Sequence, residues 1–162
     1  MNYRATIDYL YNCTPQFQRI GAAAYKPGLD TVRHLAEVFG NPQYRYKVIH
    51  VAGTNGKGST SHTLAAVLQS AGLKVGLYTS PHLIDFRERI RVNGSMIPEE
   101  DVIRFVQRYR ELPQASDSEP SFFELTTVMA FDWFAREKVD VAVIEVGLGG
   151  RLDSTNIVEA DL

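Results

Sequence analysis

The apolar residues of this chain change spacing several times, and the changes mark out its elements. Residues 2–12 and 29–39 read as two short helices; in the second, Leu29, Val32, Leu35, Ala36 and Phe39 share one face and Gly40-Asn41-Pro42 ends the run. Residues 46–51 (YKVIHV) predict a strand that leads straight into glycines. Residues 57–71 predict a helix with Leu64, Ala65, Val67, Leu68 and Ala71 on one face, closed by Gly72. A second strand follows at 74–78 (KVGLY), then TSPH, then a small hairpin over 88–97 turning at Asn93-Gly94. Residues 98–112 predict an amphipathic helix through Val102, Phe105, Val106 and Tyr109, opened by a proline and three acids. The stretch 113–121 (PQASDSEPS) reads as a polar loop, residues 122–136 as a helix, and 139–146 (VDVAVIEV) as a strand with almost no polar alternation.

Helices alternating with short, near-continuous apolar strands imply an α/β fold whose parallel sheet is covered by helices on both faces. Such sheets gather ligands at the carboxyl ends of their strands. The three unusual motifs, the glycine loop after residue 51, TSPH at 79–82 and EVGLGGR at 145–151, all fall at predicted strand ends.

Composition narrows the classes without choosing among them. A chain of 162 residues with 44% hydrophobic and 22% charged residues has material for one domain with a real core. The formal net charge of -2 supplies no basic excess for binding nucleic acid by bulk electrostatics. One cysteine, Cys13, leaves no internal disulfide and no cysteine-built zinc site, as expected of a protein from a reducing cytoplasm. The first residues, MNYRATIDYLYN, mix charge and amide into the apolar pattern unlike a signal peptide, and no run nears the ~20 apolar residues of a membrane span.

The segment HVAGTNGKGST, residues 50–60, carries the sharpest chemistry. A strand, a glycine-rich turn and a helix aim backbone N–H groups at a phosphate, and the helix start adds about half a positive charge. Gly53, Gly56 and Gly58 permit close backbone approach, and Lys57 supplies a cation. The pattern G-x-x-x-x-G-K-[ST] is met only in part: its first glycine falls on Val51, its hydroxyl position on Gly58, and Ser59 and Thr60 come later. A ligand-free glycine connection is the plainer alternative.

Other oxygen ligands have candidates. The Ser80 hydroxyl suits a magnesium ion, or simply a turn before Pro81. Glu145 lies inside an apolar strand, where a carboxylate is costly unless it is paired with a cation such as Arg151 or holds a metal. Ser121 and Glu124 stand at capping-box spacing, which alone accounts for both. Of the histidines, His34 and His62 read as surface or packing residues and His50 as a hydrogen-bonded core residue, while His82 is nearest the predicted chemistry. Trp133, Phe122, Phe131 and Phe134 read as core.

Taken in order, GTNGKGS, TSPHL, RIRVNG, SFFE and EVGLGGRLDSTN resemble the folylpolyglutamate synthase and dihydrofolate synthase family of the Mur ligase superfamily, from about residue 29 onward. The resemblance implies a P-loop-type mononucleotide-binding sheet and an ATP-dependent ligase joining L-glutamate to a folate or dihydropteroate carboxylate through an acyl phosphate. It implies that Gly53, Thr54, Asn55, Gly56, Lys57, Gly58 and Ser59 hold the ATP phosphates, with Lys57 catalytic. It assigns Mg²⁺ to Ser80 and Glu145, and the pteridine site to Ser121, Phe122, Phe123 and Glu124 with Leu152, Asp153 and Ser154. Lys26-Pro27-Gly28 aligns with a pterin-contacting turn. The family's loop also has glycine after the lysine, so the mismatch at Gly58 belongs to its pattern. Family members are longer. They carry a histidine metal ligand, a carbamylated lysine and a C-terminal domain beyond the matched part, so residues 1–162 are expected to form an incomplete, inactive ATP-binding domain with an open sheet edge. The complete protein is expected to be monomeric, with no nucleic-acid or membrane partner. A sister Mur-type ligase of cell-wall precursors and a non-catalytic nucleotide- or pterin-binding module are the competing readings.

Overall fold

The computed structural model describes residues 1–13, 28–112 and 120–162. The 113–119 part of the polar loop, with Lys26 and Pro27, lies outside the described residues. In chain order the elements are α1 (Tyr3–Cys13), α2 (Asp30–Val38), β1 (Lys47–Val51), α3 (Lys57–Ser70), β2 (Val75–Tyr78), β3 (Ile90–Val92), β4 (Ser95–Met96), α4 (Glu99–Glu111), α5 (Phe122–Glu137) and β5 (Val141–Glu145). Short 3₁₀ turns occupy Pro42–Tyr44, Phe86–Arg89 and Ser154–Ile157.

The five strands form one sheet in the order β1-β5-β2-β3-β4. β5 lies between β1 and β2 and is parallel to both, with Val51 level with Glu145 and Tyr78 level with Ile144. The expected all-parallel sheet needs one amendment: the β3–β4 hairpin joins the open side of β2 antiparallel. A two-residue turn can only reverse the chain, and Asn93 (φ 47°) with Gly94 (φ 79°) gives it the left-handed backbone that matches strand twist. Ile90 and Val92 then bury against β2 instead of forming a separate ribbon.

Alternation along the strands divides the core. Val75, Leu77, Val141 and Val143 face α3, where they pack with Ala65 and the half-buried Leu64 and Leu68. The opposite face carries Tyr78, Ala142 and Ile144 into the larger core made with α1, α2, α4 and α5. α5 is buried almost all round from Phe122 to Phe134, which its lack of a polar face demands. On α3 the buried stripe runs Ser61-Leu64-Ala65-Leu68; Val67, expected on that face, is 61% exposed, and Ala71 is exposed too.

The outer side of β1 is not bare. Asp161 donates its amide to the Val48 carbonyl (2.8 Å), His50 donates its amide to the Leu162 carbonyl (2.9 Å), and the Asp161 carboxylate accepts from the Val48 amide (2.9 Å). The outer edge of β1 is therefore occupied along Val48–His50.

Candidate functional site

At the end of β1 the chain leaves the sheet at Val51 and runs exposed from Ala52 to Gly56. Gly56 caps α3 with a left-handed backbone (φ 78°) and no side-chain hydrogen bond, so the first-turn amides of the helix have no capping side chain. Those amides face the same solvent-open loop, the arrangement that accepts an anion. Lys57 folds back and donates from Nζ to the Gly53 carbonyl at 2.9 Å, which lays the ammonium across the loop.

Glu145 ends β5 beside Val51, and it is only 4% exposed. Its Oε2 accepts the Ser80 amide at 2.8 Å, and its Oε1 lies 3.7 Å from where a side chain on Gly58 would begin. The ends of three parallel strands thus bring together the start of α3, Glu145 and Ser80. The alternative pairing of Glu145 with Arg151 does not occur: Arg151 is exposed, and among the described residues no ion pair joins them. A carboxylate and a hydroxyl are hard oxygen donors of the kind Mg²⁺ prefers. Among the described residues no cluster of three or more His, Cys, Asp or Glu could enclose a metal.

The segments assigned to the pteridine are joined to each other and to β5. Phe123 lies over Gly147, so closely that a Cβ there would collide with the ring's Cζ. Ser121 and Glu124 form a complete capping box on α5: the Ser121 hydroxyl accepts the Glu124 amide (3.2 Å), and Glu124 Oε2 accepts the Ser121 amide (2.7 Å). Phe122 is stacked on Tyr11 with ring centres 5.3 Å apart. In the loop after β5, Leu152 is 42% exposed, Ser154 is half-buried and Asp153 is buried. Asp153 staples that loop, accepting the Leu148 amide (2.7 Å), the Thr155 amide (2.9 Å) and the Thr155 hydroxyl (2.5 Å).

Two histidines and their neighbours tie these motifs together. His50 reaches the Thr155 hydroxyl through Nε2 (2.8 Å) and so joins β1 to the Asp153 staple. Burial holds its pKa below the ordinary imidazole value, with Asp153 offsetting part of the effect. Arg89 donates from Nε to His82 Nδ1 (2.7 Å), and His82 Nε2 meets the Tyr11 hydroxyl (2.9 Å). Because arginine only donates, His82 Nδ1 accepts, and the ring proton sits on Nε2. Burial and then the Arg89 charge lower the His82 pKa. Glu88 gathers the amides of Leu83 (2.9 Å), Ile84 (3.0 Å) and Asp85 (2.7 Å), leaving Leu83 and Ile84 89% and 93% exposed on a pinned loop. The D-x-x-E spacing at 85–88 was a legible capping signal, and the strand position of His50 already read as hydrogen-bonded; Arg89 had no signal.

Fold and loop together define a P-loop-type α/β domain with its glycine turn, a buried acid and a strand-end serine on one rim. No family model matches the chain. Compared with known proteins, it is 39% identical over 163 residues to a folylpolyglutamate synthase of Lacticaseibacillus casei, covering 98% of this chain and 36% of that protein. It is 45% identical over 139 residues to the dihydrofolate synthase/folylpolyglutamate synthase of Bacillus subtilis, covering 83% of this chain and 32% of that protein. Among solved structures, the folylpolyglutamate synthase of Thermotoga maritima superposes with a TM-score of 0.85 at 46% identity, covering 98% of this chain and 36% of its own. Escherichia coli FolC in complex with DHPP and ADP gives 0.86 at 38% identity, covering 99% and 37%. The chain belongs to the folylpolyglutamate synthase/dihydrofolate synthase family, and it spans about a third of the length of these relatives.

Proposed function

We propose that this chain forms the ATP-binding part of a ligase that adds L-glutamate to a folate or dihydropteroate carboxylate. The observation that carries this reading is the meeting of the glycine-loop helix start, Glu145 and Ser80 on one sheet rim. The bound ligands of similar structures support it: DHPP with ADP in one, and AMPPCP with folate in another.

In this reading the amides of Gly53, Thr54, Asn55, Gly56, Lys57, Gly58 and Ser59 hold the triphosphate. The Lys57 ammonium leaves the Gly53 carbonyl to neutralise charge on the transferring group. Ser80 and Glu145 hold Mg²⁺, which supplies charge neutralisation on the phosphates when bound. The acceptor carboxylate oxygen attacks the γ-phosphorus, ADP leaves, and an acyl phosphate forms. The glutamate amine then attacks the acyl carbon, releasing phosphate and a proton. A free carboxylate will not acylate an amine, so ATP supplies the leaving group. Ser121, Phe122, Phe123 and Glu124 with Leu152, Asp153 and Ser154 border the pteridine; for Glu124 and Asp153 this means presenting backbone and loop shape, since their carboxylates are engaged locally. The whole protein acts as a cytoplasmic monomer on small-molecule substrates.

The test is ATP-dependent phosphate release by the whole protein with dihydropteroate or tetrahydrofolate, each with glutamate. Turnover with at least one is expected, and turnover only with a UDP-muramoyl acceptor would sink the folate reading. Lys57→Ala should remove activity while leaving the melting temperature close to the parent's, because its ammonium touches one exposed carbonyl and no core. Normal turnover in that variant would take Lys57 out of the mechanism.

A further inference from the structure

Arg89 is a buried cation without a counter-ion among the described residues. It ends the 3₁₀ turn Phe86–Arg89, and its carbonyl accepts the Thr79 amide (3.0 Å), next to Ser80 in the chain. The residue is 4% exposed. Its guanidinium sits 5.3 Å from the centre of the Phe122 ring, a contact that favours a desolvated cation. Its single hydrogen bond among the described residues runs from Nε to His82 Nδ1, a neutral acceptor. Among the described residues no ion pair reaches it.

The acids on the adjoining loop are already committed. Asp85 is held by the Arg87 guanidinium (2.7 Å) and by the Tyr3 hydroxyl (3.2 Å). Glu88 is spent on three backbone amides. Both terminal nitrogens of Arg89 therefore donate to nothing in the described chain, yet neither is among its sealed, unsatisfied polar atoms. They keep an opening to solvent. A guanidinium whose Nε is fixed by a neutral base presents its two terminal nitrogens side by side, the pair that matches the two oxygens of a carboxylate.

We propose that Arg89 is the receptor for a carboxylate of the acceptor substrate, held rigid from behind by His82 and from the side by Phe122. This rests on the folate-type reading above and adds to it a specificity-determining residue. The phosphates have their own cradle at the glycine loop, so the anion assigned here is the carboxylate. His82 serves as a positioning residue: with its proton on Nε2, held against the Tyr11 oxygen, it offers Nδ1 to Arg89 and fixes the plane of the fork.

Binding to the chain separates this inference from the function it builds on. Affinities for 4-aminobenzoate, its neutral amide 4-aminobenzamide, and dihydropteroate are measured for the parent and for Arg89→Gln. The parent should prefer the acid over the amide by about tenfold or more, the worth of a charged hydrogen-bond pair, and Arg89→Gln should erase that preference while keeping amide binding. The same preference without dihydropteroate binding would leave the receptor standing and remove the folate reading. Dihydropteroate binding with the preference unchanged in Arg89→Gln would do the reverse. Equal binding of acid and amide by the parent, no acid binding at millimolar concentration, or displacement of the acid by equimolar inorganic phosphate each overturns the inference. Should Arg89→Gln fail to fold, Arg89→Lys keeps the charge without the fork; an unchanged acid-to-amide ratio there also overturns it.

Discussion

A glycine's missing side chain has two different uses in this molecule. At Gly58 it leaves the buried Glu145 carboxylate an ordinary contact away, with Oε1 3.7 Å from where a side chain would begin, at the position where the loop departs from the common lysine-hydroxyl pattern. At Gly147 the constraint is sharper, because the Phe123 ring already fills the space. Gly147→Ala must swing that ring aside, and overpacking of this kind costs about 1–3 kcal/mol. Urea denaturation of Gly147→Ala, Phe123→Ala and the double variant should show strong coupling between the two changes. Additive losses would mean the ring and the glycine do not constrain each other. In the sequence Gly58 was legible only as a place for close backbone approach, and the ring over Gly147 left no mark.

Elements were easier to read than their partners. Helical and strand spacing located the described elements to within a few residues, because periodicity reports burial and burial is what the fold satisfies. What the spacing did not say was that the β3–β4 hairpin would close against β2, since pairing depends on which edge is left unoccupied. It also overcounted the buried face of α3 at Val67, where a small apolar stripe suffices because the strands beneath are themselves narrow and branched. The capping box at the start of α5 was legible and is formed, which sets up a test of what Ser121 does. Ser121→Ala should cost about 1 kcal/mol of stability, and Ser121→Asp, which keeps the cap, should recover most of it. If dihydropteroate affinity follows stability across the two variants, the serine acts as a cap. If affinity falls in both while stability returns in the aspartate, the hydroxyl touches the ligand.

At the scale of the whole molecule, pH acts through the buried rings. His50 is held neutral by burial, so its folded pKa lies below the ordinary 6.5 of the exposed ring. As pH falls through about 6.5 the unfolded chain takes up a proton first, and stability present above that value is progressively lost until the folded ring titrates as well. His50→Gln keeps a donor for Thr155 without the titration, so its stability between about pH 7 and pH 5 should fall less steeply than the parent's. Parallel curves would remove His50 as the cause. The short pairing of Asp161 and Leu162 with β1 has a consequence for how molecules stick together. A neighbour seeking a template on that rim meets polar groups already taken, and must displace this segment before any cross-molecule stacking can start there.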